Sequence, residues 1–172
     1  ICARKHLRAF GTCKFEMLKA GSLHKKASLH DKNASEKNNP NLIKIHPYLG
    51  SYFYRFNTKI PHLNDKRVRK ALAMSINRQQ LTDRVTKGGE TPAFTFTPPD
   101  TFGYSARAAF EFNPKMARDL MREAGYPNGE GFPVTELLYN TSEGHRKIAV
   151  AIQQMWKKNL GINITLSNQD WK

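Results

Sequence analysis

Beyond residue 112 the spacing of apolar positions changes three times. After Asn113-Pro114, Ala117, Leu120, Met121 and Ala124 fall on one helical face, and Gly125 follows. Asn is a favoured N-cap, Pro fits the first helical position and Gly suits the far end, so both ends of this helix are marked. Val134–Tyr139 is a short apolar run that predicts a strand. Ser142 then caps a long helix whose Ile148, Ile152, Met155 and Trp156 face inward, closing at Asn159-Leu160-Gly161. Ile162, Ile164 and Leu166 alternate in a last strand, after which the chain stops without a natural closure. Strand, long helix, strand is a βαβ unit with a right-handed crossover. The predicted fold class is α/β.

Upstream, Leu42, Ile43 and Ile45 predict a strand stopped by Pro47, and Tyr52–Phe56 predicts an aromatic one. Asn64 or Asp65 caps a helix spanning roughly residues 66–76, with Val68, Leu72 and Ile76 on its buried face. Asn77 caps a further turn that buries Leu81 and Val85 and stops at Gly88-Gly89. Residues 90–112, with Pro92, Pro98, Pro99 and Gly103, read as an extended loop.

Residues 1–40 have a different texture. A weak helical pattern runs from Leu7 to Leu18, and Gly21–Pro40 is rich in Lys, Ser, His and Asn without apolar periodicity. Such a stretch buries too little surface to offset its ordering entropy. The expected division is therefore residues 1–40, a basic, polar segment that is in part linker or disordered and adds little to the fold, and residues 41–172, the folded unit.

Charge changes the picture only modestly. The chain carries 28 Lys and Arg against 14 Asp and Glu, a formal charge of +14. This raises the question of nucleic acid or anionic surfaces. The excess is spread along the chain, however, which more often means a solvated surface than a dedicated face. Cys2 and Cys13 both precede residue 14, so they either pair in a short loop or stand as free thiols. The body after them holds no disulfide framework or Cys-based metal site. The sequence contains no apolar run long enough for a transmembrane helix. Its first residues do not read as a signal peptide, and a start at Ile1 reads as a processed or cut product.

Candidate chemistry is sparse. The six His are not paired at helical ligand spacing, so no metal site is expected; His24 and His30 lie in the polar segment. No nucleophile–base motif is present, and no cofactor is indicated. Gly88-Gly89 follows a helix, and GYPNGEGF leads into a strand, so both read as turns instead of phosphate loops. The helix DKRVRKAL, beside the aromatic YFYRF, leaves nucleic-acid binding as an alternative. The strongest constellation is LLYNTSEGHRK followed by NQDWK. Asn140 ends one strand, Trp171 ends the next, and His145 lies in the first turn of the helix between them. Ligands of open α/β sheets bind outside the carboxyl ends of strands, and a helix N-terminus suits a carboxylate. A capping Asn, a surface His and a core Trp is the plain alternative.

The segments YLGSYFYRFN, DKRVRKALAMSINR, KGGETPAFTFTPP, FNPKMARDLMREAGYP, LLYNTSEGHRKIAVAIQQMWKKNLGI and LSNQDWK, in this order, resemble the bacterial periplasmic oligopeptide-binding proteins, family 5 of the extracellular solute-binding proteins of ABC importers. The resemblance covers Asn41 to Lys172. It implies part of the C-terminal lobe of a type II periplasmic-binding-protein-like fold, periplasmic location and non-catalytic capture of oligopeptides for the importer's membrane subunits. It also implies that Asn140, His145 and Trp171 line a peptide cleft, with His145 near the peptide's carboxylate and Tyr48 at the lobe junction. A partial sheet would leave open edges, through which self-association is expected. The alternative function is a basic module for nucleic acid or anionic surfaces.

Overall fold

The computed structural model describes residues 7–10, 50–98, 101, 103, 104 and 106–170. Its single described sheet has four strands: β1 (Leu7–Phe10), β2 (Phe53–Arg55), β3 (Thr135–Asn140) and β4 (Ile164–Gln169). The order is β2-β1-β3-β4, with β1 antiparallel to β2 and β1, β3 and β4 mutually parallel. Leu7–Phe10 is thus a strand, not the start of a helix, and it joins β2 to β3. The expectation that the N-terminal segment adds little to the fold fails for these four residues. LRAF is four residues, one of them the charged Arg8, too short to show a period of its own, and its hydrogen-bonding partners lie far along the chain. The strand predicted at Leu42–Ile45 lies outside the described residues.

The helices cover one face. After the short α1 (Pro61–Asn64), α2 (Lys66–Met74) starts at Asp65, whose carboxylate accepts from the Arg67 backbone N–H at 2.8 Å. α3 (Arg78–Gln80) is capped by Asn77 and runs into a π-helical segment, Leu81–Thr86, ended by Lys87 in the left-handed region at φ 53°. The helical hydrogen bonds therefore end one residue before the predicted Gly88-Gly89 stop, and Leu81 and Val85 are half-buried. α4 (Pro114–Glu123) is capped by Asn113, which accepts from Met116 N–H at 3.0 Å. α5 (Glu143–Leu160) crosses between β3 and β4 and ends at Gly161.

Val68, Ala71, Leu72, Ala117, Met121, Leu137, Ile152, Trp156 and Ile162 form the core between helices and sheet. Ile148 and Met155 are only half-buried, while Ala149 and Leu160 take fully buried places beside Ile152 and Trp156. The C-terminus of α2 is buried against α5, so its free carbonyls need partners. Trp156 Nε1 donates to Leu72 O at 2.9 Å, Asn159 Nδ2 to Ser75 O at 2.8 Å, and Arg78 Nη1 to Ala73 O at 3.1 Å. At the far end of α5, Gly161 (φ 74°) presses on the turn Pro127–Gly129. A Cβ on Gly129 would lie 2.6 Å from the Gly161 carbonyl carbon, so this contact needs glycine on both sides.

Candidate functional site

The parallel pair β3–β4 brings two strand ends together. Their register runs from Thr135↔Ile164 to Asn140↔Gln169. Thr141 extends the ladder by donating its N–H to Gln169 O at 2.9 Å, and Asn168 Nδ2 donates to Thr141 Oγ1 at 3.0 Å. These bonds fix where β3 stops and aim the chain into α5. Asn140 is half-buried at this rim. Ser142 occupies the N-cap of α5 in extended conformation, but its side chain makes no capping bond.

His145 lies in the first turn of α5, close to the end of β3. Its ring lies against Tyr52, with centroids 5.1 Å apart and planes 32° apart. Tyr52 reaches the rim because β2 runs against β1: the start of β2 falls at the sheet edge where β1 and β3 end. The Tyr52 ring meets Tyr54 edge-on at 5.6 Å, and its hydroxyl donates to the Tyr54 hydroxyl at 3.4 Å. Burial pushes both phenols up. For Tyr54 the neighbouring Tyr52 and Tyr139 push the same way; for Tyr52 the bond to Tyr54 offsets part of the rise. Both rings are neutral at physiological pH. The rim therefore combines an amide, hydroxyls, an imidazole, aromatic walls and the positive end of α5. Such a surface suits main-chain amides and a carboxylate.

Of the expected site residues, Asn140 and His145 stand at one rim, while Tyr48 and Trp171 lie outside the described residues. Tyr52 and Tyr54 were absent from the sequence-based set. Their spacing of two within a strand was the available signal, since it puts both on one face. The basic helix beside YFYRF has a structural employment: Arg67 grips Asp65 and donates to Glu123 O at 2.7 Å, and Arg69 donates to Leu63 O and Asn64 O at 2.9 and 2.7 Å. Nucleic-acid binding by this helix has no support. Among the described residues no group of three His, Cys, Asp or Glu is placed to hold a metal. A shallow hollow of about 140 Å³ lined by Gln153, Lys157, Ile162 and Asn163 lies toward the other end of α5, away from the rim.

A parallel-rich sheet with a polar, aromatic rim at its strand ends defines part of a lobe of the periplasmic-binding-protein class, and solved proteins of that class superpose on it. The chain belongs to the bacterial extracellular solute-binding proteins, family 5, whose middle region matches residues 14–172. It is similar to the periplasmic murein peptide-binding protein MppA of Escherichia coli, at 44% identity over 79% of this chain and 26% of the relative. It is similar also to the periplasmic oligopeptide-binding protein OppA of Salmonella typhimurium, at 38% identity over 80% of this chain and 26% of the relative. The solved structure of the Escherichia coli murein tripeptide binding protein MppA superposes with a TM-score of 0.74 at 42% identity, covering 83% of this chain and 29% of that one. The chain thus spans about a quarter of the length of the curated relatives it matches. The match starts at residue 14, inside the segment that the sequence reading left unmatched.

Proposed function

We propose that this chain supplies one wall of an oligopeptide-binding cleft in a periplasmic protein that delivers peptides to an ABC-type importer, by binding and without turnover. The observation that carries this reading is the juxtaposition of Asn140, His145 and Tyr52 at the strand ends of a lobe whose relatives are named for peptide binding. The amide of Asn140 pairs with peptide main chain. His145 and the free N–H groups of α5 face the peptide's carboxylate; by the family resemblance Trp171 is expected to line the same cleft and Tyr48 to stand at the lobe junction. A quarter of a two-lobed protein buries less peptide than the whole, so the expected affinity is low.

Calorimetric titration of the chain with short peptides, each as free acid and as amide, tests the reading. The free acids should bind more tightly, and His145→Ala should cost them about tenfold, the worth of one charge-assisted hydrogen bond, while leaving the amides unchanged. Equal binding of acids and amides, or an unaltered preference in His145→Ala, would remove His145 from the site. No measurable binding of any peptide would refute capture by this chain.

A further inference from the structure

Three helices carry basic side chains that the peptide rim does not use. Lys66 and Lys70 are exposed on α2, Lys115 and Arg118 on α4, and Lys157 and Lys158 on the last turn of α5. Among the bonds between these helices, Arg67 Nη1 donates to Glu123 O, joining the start of α2 to the end of α4, and Arg118 Nη1 donates to Asn159 O at 3.4 Å, joining α4 to the end of α5. The ion pairs of this region are Arg67–Asp65 and Arg122–Asp119. Among the described residues Lys66, Lys70, Lys115, Lys157 and Lys158 have no carboxylate partner.

Helices are roughly 10 Å across with their side chains, so the band extends over some 20–30 Å. That is far wider than a single phosphate or a peptide carboxylate, and the cavity near it among the described residues is the shallow hollow beside Lys157. Met116, 51% exposed, projects from α4 beside Lys115 and supplies an apolar group to a headgroup layer. The exposed aromatics Phe94, Phe96, Tyr104, Phe110 and Phe112 belong to the loop over residues 90–112, not to these helices. The band therefore lacks the stacking platforms of single-strand nucleic-acid binders. Lys157 and Lys158 lie 14 and 15 residues beyond Glu143 at the start of α5, roughly 21–23 Å at helical rise, which leaves the rim clear.

We propose that this band docks the protein on an anionic lipid bilayer. Each lysine near a negatively charged surface adds a screened attraction, and the several here act together. The test is co-sedimentation of the full chain with vesicles of phosphatidylcholine containing roughly one-third phosphatidylglycerol, at about 0.1 M salt. Two variants with the same loss of charge are compared: Lys66→Glu, Lys70→Glu and Lys115→Glu together, and the loop set Lys59→Glu, Lys87→Glu and Arg107→Glu. Circular dichroism and melting establish that both fold, and the corresponding Gln substitutions serve if a Glu set does not. The band set should weaken vesicle binding about a hundredfold and the loop set much less, with pure phosphatidylcholine vesicles left unbound. Equal effects of the two sets would show a response to net charge and overturn the proposal. Failure of the unaltered chain to bind anionic vesicles would do the same. Tighter binding to a single-stranded RNA, lost in the band set, would overturn the lipid assignment.

Discussion

His62 shows how one side chain's surroundings set a pH response. Thr135 Oγ1 donates to Pro133 O at 2.9 Å, so in its 2.7 Å bond with His62 it accepts, and His62 carries its proton on Nε2. The other side of the ring meets Phe132 edge-on at 5.0 Å. Burial lowers the His62 pKa from its ordinary value near 6.5, because the charged imidazolium loses water that these neighbours do not replace. The unfolded chain then binds the proton more readily than the folded one. The contribution to stability is complete above about pH 6.5 and is lost as pH falls through the folded-state pKa. Urea midpoints should fall between pH 7.5 and 5.5 in the unaltered chain, and fall less in His62→Gln. A pH dependence unchanged by the substitution would assign the effect to other groups.

At the scale of elements, α5 is fastened to α2 by Trp156. Its ring is buried in the core cluster that also holds Val68, Leu72, Met121 and Leu137, and its indole N–H satisfies the Leu72 carbonyl. Trp156→Ala should cost roughly 3–5 kcal/mol, the loss of packing plus a cavity. Trp156→Phe keeps most of the ring but strands a buried carbonyl, with an expected cost of about 1–3 kcal/mol. Chemical unfolding of both variants measures this. Costs below about 1 kcal/mol for either would mean that the helix layer repacks freely around the site. The arginines act in a related way. Arg67, Arg69, Arg78 and Arg118 each donate to carbonyls at or near helix ends, so part of the chain's positive charge is employed in closing helices.

For the whole molecule, the sheet order makes the N-terminal strand a bridge: among the described residues, the strand hydrogen bonding of β2 reaches β3 and β4 through Leu7–Phe10. Composition still makes Gly21–Pro40 the expected place of the first protease cuts, and we propose a division near residue 40 on that ground. The two expectations combine into one outcome. After limited proteolysis, the peptide containing Leu7–Phe10 should co-elute with the large fragment in gel filtration and separate from it only in denaturant. Separation under native conditions would mean that β1 does not hold the sheet together. Self-association through the edges belongs to this scale too. β4 is an edge strand of six residues with no charged residue, so it is the expected contact, whereas β2 has three residues and carries Arg55.

Features decided within a few residues were legible in the amino-acid sequence alone. Asp65, Asn77 and Asn113 cap the helices they were expected to cap, and Gly161 ends α5 in the left-handed region. The β3–α5–β4 unit and the rim position of Asn140 and His145 follow from such local signals, because a cap, a period or a positive φ costs or gains its energy within one turn. Tertiary structure decided what rests on distant partners. Leu7–Phe10 is a strand because β2 and β3 supply its hydrogen bonds, and Trp156 bonds a carbonyl 84 residues away. Tyr52 joins His145 only because an antiparallel pairing brings the start of β2 to the end of β3. No pattern within a single segment encodes these meetings. They are fixed by which faces the assembled sheet and helices bury together.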